Sequence, residues 1–183
     1  MAPPATRFEM GDNVALWHDL VADPTLPQEF DSCDVLYAEP PWPAGFDRFN
    51  RRAGTMDGRT YADLLTALTR LIEDRQEPVI LILGRQAQRQ LPEAQQVIRM
   101  TMNGGAVLAL LHRVELDPPP ATNLALLAAL ARLYSRVGDP MCGYGLTARV
   151  FTAAGKAWTL SDSNRMCIGH IARTAPTWKG AAA

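Results

Sequence analysis

Val35-Leu36-Tyr37-Ala38-Glu39-Pro40-Pro41-Trp42 is an apolar run that ends abruptly in an acid, two prolines and an indole. A short apolar run without alternation reads as a strand of a parallel sheet, covered on both faces. Proline has no N–H to give to a ladder, so the strand stops at Pro40. Glu39 and Trp42 are thereby left at the carboxyl end of a strand, where open α/β sheets hold their ligands. A second stretch, Asp139-Pro140-Met141-Cys142-Gly143-Tyr144-Gly145-Leu146-Thr147, repeats the arrangement: an acid at a strand end, then a glycine turn into a helix. The rest of the chain is read as bringing these two strand ends together.

Working outward, Arg7–Met10 is expected as a short strand closed by Gly11-Asp12-Asn13, residues 14–20 as a helical turn or two, and 23–29 as a loop. Residues 45–58 carry three glycines with Arg48, Arg51 and Arg52, and are expected as a mobile basic loop beside the site. Tyr61–Asp74 has a helical stripe of leucines and Ile72, Val79–Leu83 reads as a second buried strand, and 84–91 as a helix stopped by Pro92. Two apolar runs, 95–102 and 106–116, flank Asn103-Gly104-Gly105, a strong hairpin signal. Thr122 or Asn123 caps a helix over 124–136, and Val137-Gly138 is a short strand feeding the glycine turn. A helix over 146–154, a strand over 157–160 ending at Ser161-Asp162-Ser163, and a helix over 164–173 complete the chain. The pattern is α/β: a mostly parallel sheet with a late β-hairpin and one antiparallel strand at or near the edge.

The 183 residues are read as a single domain over 1–183, long enough for a full hydrophobic core. With 48% hydrophobic and 20% charged residues the chain is globular rather than disordered. A net charge of −1 gives no global attraction to polyanions, so a nucleic acid has to be met by a local patch. Cys33, Cys142 and Cys167 show neither metal spacing nor a disulfide framework, which fits a reducing cytoplasm and no metal. Residues 1–8 lack the features of a signal peptide, and the longest apolar run, 124–131, is too short to span a bilayer. His18, His112 and His170 are isolated and read as structural.

Strand, glycine turn and helix let a ligand approach backbone N–H groups closely. Gly143 and Gly145 lie between Asp139 and the helix, and Asp162 follows Gly145 by 17 residues, a distance that suits the two hydroxyls of a ribose. The plainer reading is a tight turn and a helix cap. The turn lacks the Lys-Ser/Thr of a phosphate loop, and the acid before it repels a pyrophosphate. A cationic nucleoside meets these demands, and S-adenosyl-L-methionine has the sulfonium, ammonium and ribose.

These residues resemble a known family. Asp-Pro-Met-Cys-Gly-Tyr-Gly-Leu-Thr is similar to the cofactor motif of the amino-group DNA methyltransferases, Asp-Pro-Phe-x-Gly-x-Gly-Thr-Thr, which modify adenine N6 or cytosine N4. Glu-Pro-Pro-Trp is similar to their catalytic motif, Asp/Asn/Ser-Pro-Pro followed by an aromatic residue. The catalytic motif comes first, the permuted order called the β type, and the resemblance runs from about residue 8 to 173. It implies a Rossmann-like S-adenosylmethionine-dependent methyltransferase fold. It places Asp139, Pro140, Met141, Cys142, Gly143, Tyr144 and Gly145 along the methionine part of the cofactor, Asp162 on the ribose, Asp12 at the adenine end and Asn123 near the cofactor carboxylate.

For the chemistry, the resemblance implies that Glu39 and the carbonyl of Pro40 accept hydrogen bonds from the target amine. The lone pair that the ring delocalises is then localised as charge develops. Trp42, after Pro41, stacks on the extruded base. Arg48, Arg51, Arg52 and Arg59 are candidates for phosphate contacts. The expected activity is methyl transfer to an exocyclic amine of a DNA base, adenine N6 first. Between residues 85 and 120 no separate target-recognition domain is evident, so specificity is expected to be low or supplied by a homodimer or a partner subunit, which would suit a mobile element or virus. Glu39 stands where the family has Asp, Asn or Ser, and Leu146 where it has Thr. The non-catalytic subunit of heterodimeric adenosine methyltransferases carries Glu-Pro-Pro. A non-catalytic module that binds nucleic acid or protein therefore stays open, as does an enzyme acting on RNA or a modified base.

Overall fold

In the computed structural model, which describes residues 6–55, 58–102 and 105–178, eight strands form the centre. They are β1 (Arg7–Met10), β2 (Asn13–Trp17), β3 (Val35–Ala38), β4 (Val79–Leu83), β5 (Gln96–Met102), β6 (Gly105–His112), β7 (Arg136–Asp139) and β8 (Ala157–Asp162). They make one sheet in the order β1-β2-β8-β7-β3-β4-β6-β5. The strands from β2 to β4 are parallel, while β1 and β6 run against their neighbours. Two reversed strands thus replace the one expected. The turn residues Asn103 and Gly104 lie outside the described residues, but β5 and β6 pair antiparallel up to Met102 opposite Gly105, as the hairpin reading requires.

Helices cover both faces. α1 (Pro43–Ala53), α2 (Tyr61–Asp74) and the short α3 (Arg85–Gln88) bury Phe46, Leu64, Leu68, Leu71 and Ala87 against Leu36, Leu81 and Leu83. α4 (Asn123–Leu133), α5 (Leu146–Ala153) and α6 (Arg165–Thr174) bury Leu126, Leu130, Phe151 and Ile168 against Val35, Tyr37, Ile80 and Val137. Successive strand residues therefore serve opposite layers, and both layers are dry, which explains the unbroken apolar runs. α2 spans the expected residues. It begins with a capping box in which Thr60 and Asp63 each accept from the other's backbone. Among the described residues no helix is long and apolar enough to cross a membrane.

The helix expected over 84–91 is only the turn Arg85–Gln88, the one over 124–136 ends at Leu133, and two segments change type. Residues 13–17 are a strand, not a helical turn: Val14 to Trp17 lie beside Thr159 to Asp162 of β8. A short apolar run fits either conformation, and the open edge of β8 decides between them. Residues 43–53 are a helix, not a loop. Trp42 is its N-cap and Pro43 its first residue, Phe46 and Asn50 face inward one turn apart, and Gly54 in the left-handed region (φ 74°) ends it.

At the sheet centre β7 passes so close to its surroundings that only glycine fits at 138. A Cβ there would sit 2.6 Å from Leu36 Cδ2 and 2.8 Å from Phe30 Cδ1. Gly138→Ala is expected to destabilise the protein by about 1–3 kcal/mol through overpacking. In a thermal melt that is a fall of roughly 3–10 °C at this chain length.

Candidate active site

The strand order reverses direction at β7 and β3. From β7 the chain passes through α5 on one face to β8, and from β3 through α1 and α2 on the other face to β4. A crevice outside the carboxyl ends of such strands is the ligand site of open α/β sheets. Val35 pairs with Val137 and Leu36 with Gly138, which carries Glu39 just past Asp139. Asp139 pairs with Leu160, which brings Asp162 to the same rim. Three acids far apart in sequence thus meet at one end of the sheet.

A cleft of about 300 Å³ opens between Tyr37, Glu39, Asp139, the Met141–Thr147 turn and Arg149. A second, of about 390 Å³, is walled by Pro40, Pro41, Trp42, Phe49, Met102 and Met141. Glu39, Met141 and Gly143 border both. A third, narrow recess of about 20 Å³ continues past Asp162 and Pro140 to His18, Asp19 and Leu20, under Phe46 and Phe49 of α1.

The turn is built by left-handed Gly143 (φ 50°) and Gly145 (φ 81°), a conformation that L side chains resist. At Gly145 a Cβ would also come 3.0 Å from Trp178. The buried Asp139 carboxylate accepts from Thr147 Oγ1 at 2.6 Å and from the Met141 amide at 3.1 Å. Asp162 accepts from the amides of Gly143 and Asn164, both at 2.8 Å. Asp139 and Asp162 are each 2% exposed. Burial pushes the Asp139 carboxyl up to about 7 against these hydrogen bonds, and Asp162 up to about 6. Burial also raises Glu39, opposed by Tyr37 and Asn123. Burial keeps the Cys142 thiol protonated, and its amide donates to the Ser161 carbonyl.

Most of the expected site residues are therefore brought together: Glu39, Pro40, Pro41, Trp42, Asn123, Asp139, Pro140, Met141, Cys142, Gly143, Tyr144, Gly145 and Asp162. Trp42 is 38% exposed and Tyr144 62%, both at cleft mouths. Asp12 is not among them. It lies in the β1–β2 turn at the amino ends of β2 and β8, where its carbonyl accepts from Arg136 at 2.6 Å, the opposite end of the sheet from Glu39. The acid at the carboxyl end of β2 is Asp19. Its signal in the sequence is an acid after an apolar run, which points to a strand end only if that run is a strand.

Asp19 accepts from Arg59 at 2.5 Å and from the amides of Val21 and Ala22. Arg59, expected at a phosphate, is thus turned inward, its side chain 16% exposed. Arg48, Arg51 and Arg52 are exposed on α1 at positions i, i+3 and i+4, one face of the helix. His18, expected to be structural, borders the recess. Its Nε2 is buried with no hydrogen-bond partner among the described residues. Burial lowers its pKa, so the imidazole is neutral near pH 7.

No protein-family model and no curated protein sequence matches the chain. Solved structures do. The M1.HpyAVI–SAM complex superposes with a TM-score of 0.56 at 11% identity, over 91% of this chain and 98% of that one. A proposed DNA modification methylase from Thermus thermophilus, complexed with S-adenosyl-L-methionine, does so with a TM-score of 0.56 at 13% identity, over 90% and 93%. Identities this low speak for the backbone alone. With the sheet order, the two helical layers and the crevice at β7 and β3, the chain has the α/β fold of the S-adenosylmethionine-dependent methyltransferases.

Proposed function

We propose that the protein binds S-adenosyl-L-methionine and transfers its methyl group to an exocyclic amine of a DNA base, adenine N6 in the first instance. The observation that carries this is the convergence of three carboxyl groups, the buried Asp139 and Asp162 and the half-buried Glu39, on connected clefts beside a glycine turn. Burying like charges together is costly unless a cation joins them. The ligand supplies a sulfonium that carries an electrophilic methyl group, and its ammonium adds a second positive charge. Asp139 and the Met141–Gly145 turn take the methionine end, and Asp162 the ribose hydroxyls. The purine end is assigned to the side of the recess at His18, whose buried Nε2 has no hydrogen-bond partner among the described residues. The motif order along the chain corresponds to the permuted β type.

The neighbouring apolar cleft then receives the target base. Trp42 stacks on it. Glu39 and the Pro40 carbonyl accept from its amine, which sharpens the nitrogen lone pair for in-line attack on the methyl group. Arg48, Arg51 and Arg52 are exposed on α1, the helix whose Phe49 lines this cleft, and are assigned to the phosphate backbone. Calorimetry with the cofactor, followed by transfer of radiolabelled methyl groups to unmethylated DNA and RNA, tests the reading. Label in N6-methyladenine of DNA is the expected product. Tight cofactor binding without transfer to any nucleic acid overturns it in favour of a non-catalytic module, which the length of Glu39 favours.

The raised carboxyl groups set the pH dependence. Between pH 4 and 7 the free native state holds protons that the unfolded chain has lost. The site's contribution to stability is therefore greatest at low pH and is lost as pH rises through about 7. A cationic ligand favours the charged forms. Its affinity is expected to rise from about pH 5 to 8, with protons released on binding near pH 6.5, measurable by calorimetry in buffers of different ionisation enthalpy.

A further inference from the structure

We propose that Tyr37 and Asn123 form a relay that holds the Glu39 carboxylate by one oxygen and presents the other to the clefts. The proposal rests on the reading of Glu39 as the acceptor for the target amine. Tyr37 is 2% exposed and Asn123 6%, although both lie at the site. The Tyr37 hydroxyl is 2.8 Å from Asn123 Oδ1 and 3.4 Å from Glu39 Oε2. A phenol has one proton, and the shorter contact takes it. That fixes the sense of the amide. With Oδ1 accepting from Tyr37, Nδ2 faces Glu39 Oε2 at 3.3 Å. The flipped amide would set a carbonyl oxygen against a carboxylate. Tyr37 therefore acts on Glu39 through Asn123.

Both contacts go to Oε2, and among the described residues no hydrogen bond reaches Oε1. Glu39 borders the cleft at Asp139 and the cleft at Trp42 at once. A glutamate reaches Asn123 across the width of the site, where an aspartate, shorter by one methylene, does not. The relay is thus what a glutamate needs at this position. It draws the longer side chain back toward α4 and removes the freedom that would let it wander out of line with the target amine. Asp139 is the other acid that faces the group, and among the described residues no cation joins the two in a hydrogen bond.

The test reads Glu39 directly. Protein labelled with carbon-13 at glutamate carboxyls, which leaves Asp139 silent, is titrated by NMR, and the Glu39 signal is assigned by its loss in Glu39→Gln. Weakening the Asn123 donor to the charged form, directly at Asn123 or by freeing its amide at Tyr37, raises the midpoint. Tyr37→Phe and Asn123→Ser are each expected to raise it by about 0.5–1 pH unit. In methyl transfer, Tyr37→Phe is expected to lower kcat by roughly tenfold while KM for the cofactor stays within about twofold, because misplacement and not binding is the defect. On the Glu39→Asp background Tyr37→Phe is expected to cost nothing further. An unchanged midpoint in both variants overturns the relay. A parent protein that transfers no methyl group overturns the functional reading instead, and the titration still decides the relay.

Discussion

Glu39→Ala is expected to cripple methyl transfer while leaving cofactor binding within about a few-fold of the parent. The loss expected in kcat is roughly 10²–10³, the range seen when one preorganised polar group at a developing charge is removed. The effect is concentrated in kcat because the Glu39 acceptor matters most as the amine nitrogen gains charge, and least in the ground state. Asp139 and Asp162 keep their own hydrogen bonds to Thr147 and the Gly143 amide, so the proposed cofactor site should survive the loss of Glu39. Glu39→Asp separates position from chemistry. It keeps a carboxylate but moves it by about 1 Å, which alone can cost on the order of a hundredfold. Single-turnover transfer from labelled cofactor, with calorimetry on the same preparations, measures both halves. Undiminished transfer by Glu39→Ala would remove Glu39 from the chemistry.

The second large effect is on the cofactor. Asp162→Ala is expected to weaken S-adenosyl-L-methionine and its demethylated product about equally, by roughly a hundredfold. Charge-assisted hydrogen bonds to the ribose contribute about 1.5–3 kcal/mol each, and about 1.4 kcal/mol is tenfold in Kd. Asp139→Asn is expected to discriminate. The product lacks the sulfonium charge, so the substitution weakens the methylated cofactor more than the product. The amide can keep both partners, its oxygen accepting from the Met141 amide and its NH2 donating to Thr147 Oγ1, so the turn is not lost with the charge. Equal losses for both ligands in Asp139→Asn would mean that the acid acts on the turn and not on the sulfonium.

How much of this could be read from sequence follows from where the information lies. Val35–Ala38 and Val79–Leu83 are covered on both faces, so burial is written in the residues themselves. Tyr61–Asp74 carries its own capping box. The Val14–Trp17 run carries no such signal, and only its pairing with β8, far along the chain, makes it a strand. α1 was obscured by Gly45 and its arginines, since just Phe46 and Asn50 of its residues are buried. In the site, Glu39, Asp139 and Asp162 were legible because each acid closes an apolar run. Asp12 follows a glycine as the motif does, but nothing local says which end of the sheet its turn closes. The contact of Glu39 with Asn123, 84 residues away, has no local trace at all.

The position of β7 has a consequence for how the chain is made. Residues 35–112 supply β3, β4, β6 and β5, which are mutual neighbours and can pair as soon as they leave the ribosome. The β1–β2 hairpin, made first, cannot join them, because β8 and β7 must come between. Until about residue 139 has been synthesised β3 shows a bare apolar edge, and until about residue 162 β7 does, so nascent chains are exposed to edge-to-edge association. The last strand made, β8, joins β7 to β2 and brings Asp162 to the rim where the proposed cofactor would bind. Ligand present during synthesis or refolding would therefore favour the closed sheet by mass action and raise the yield of native protein.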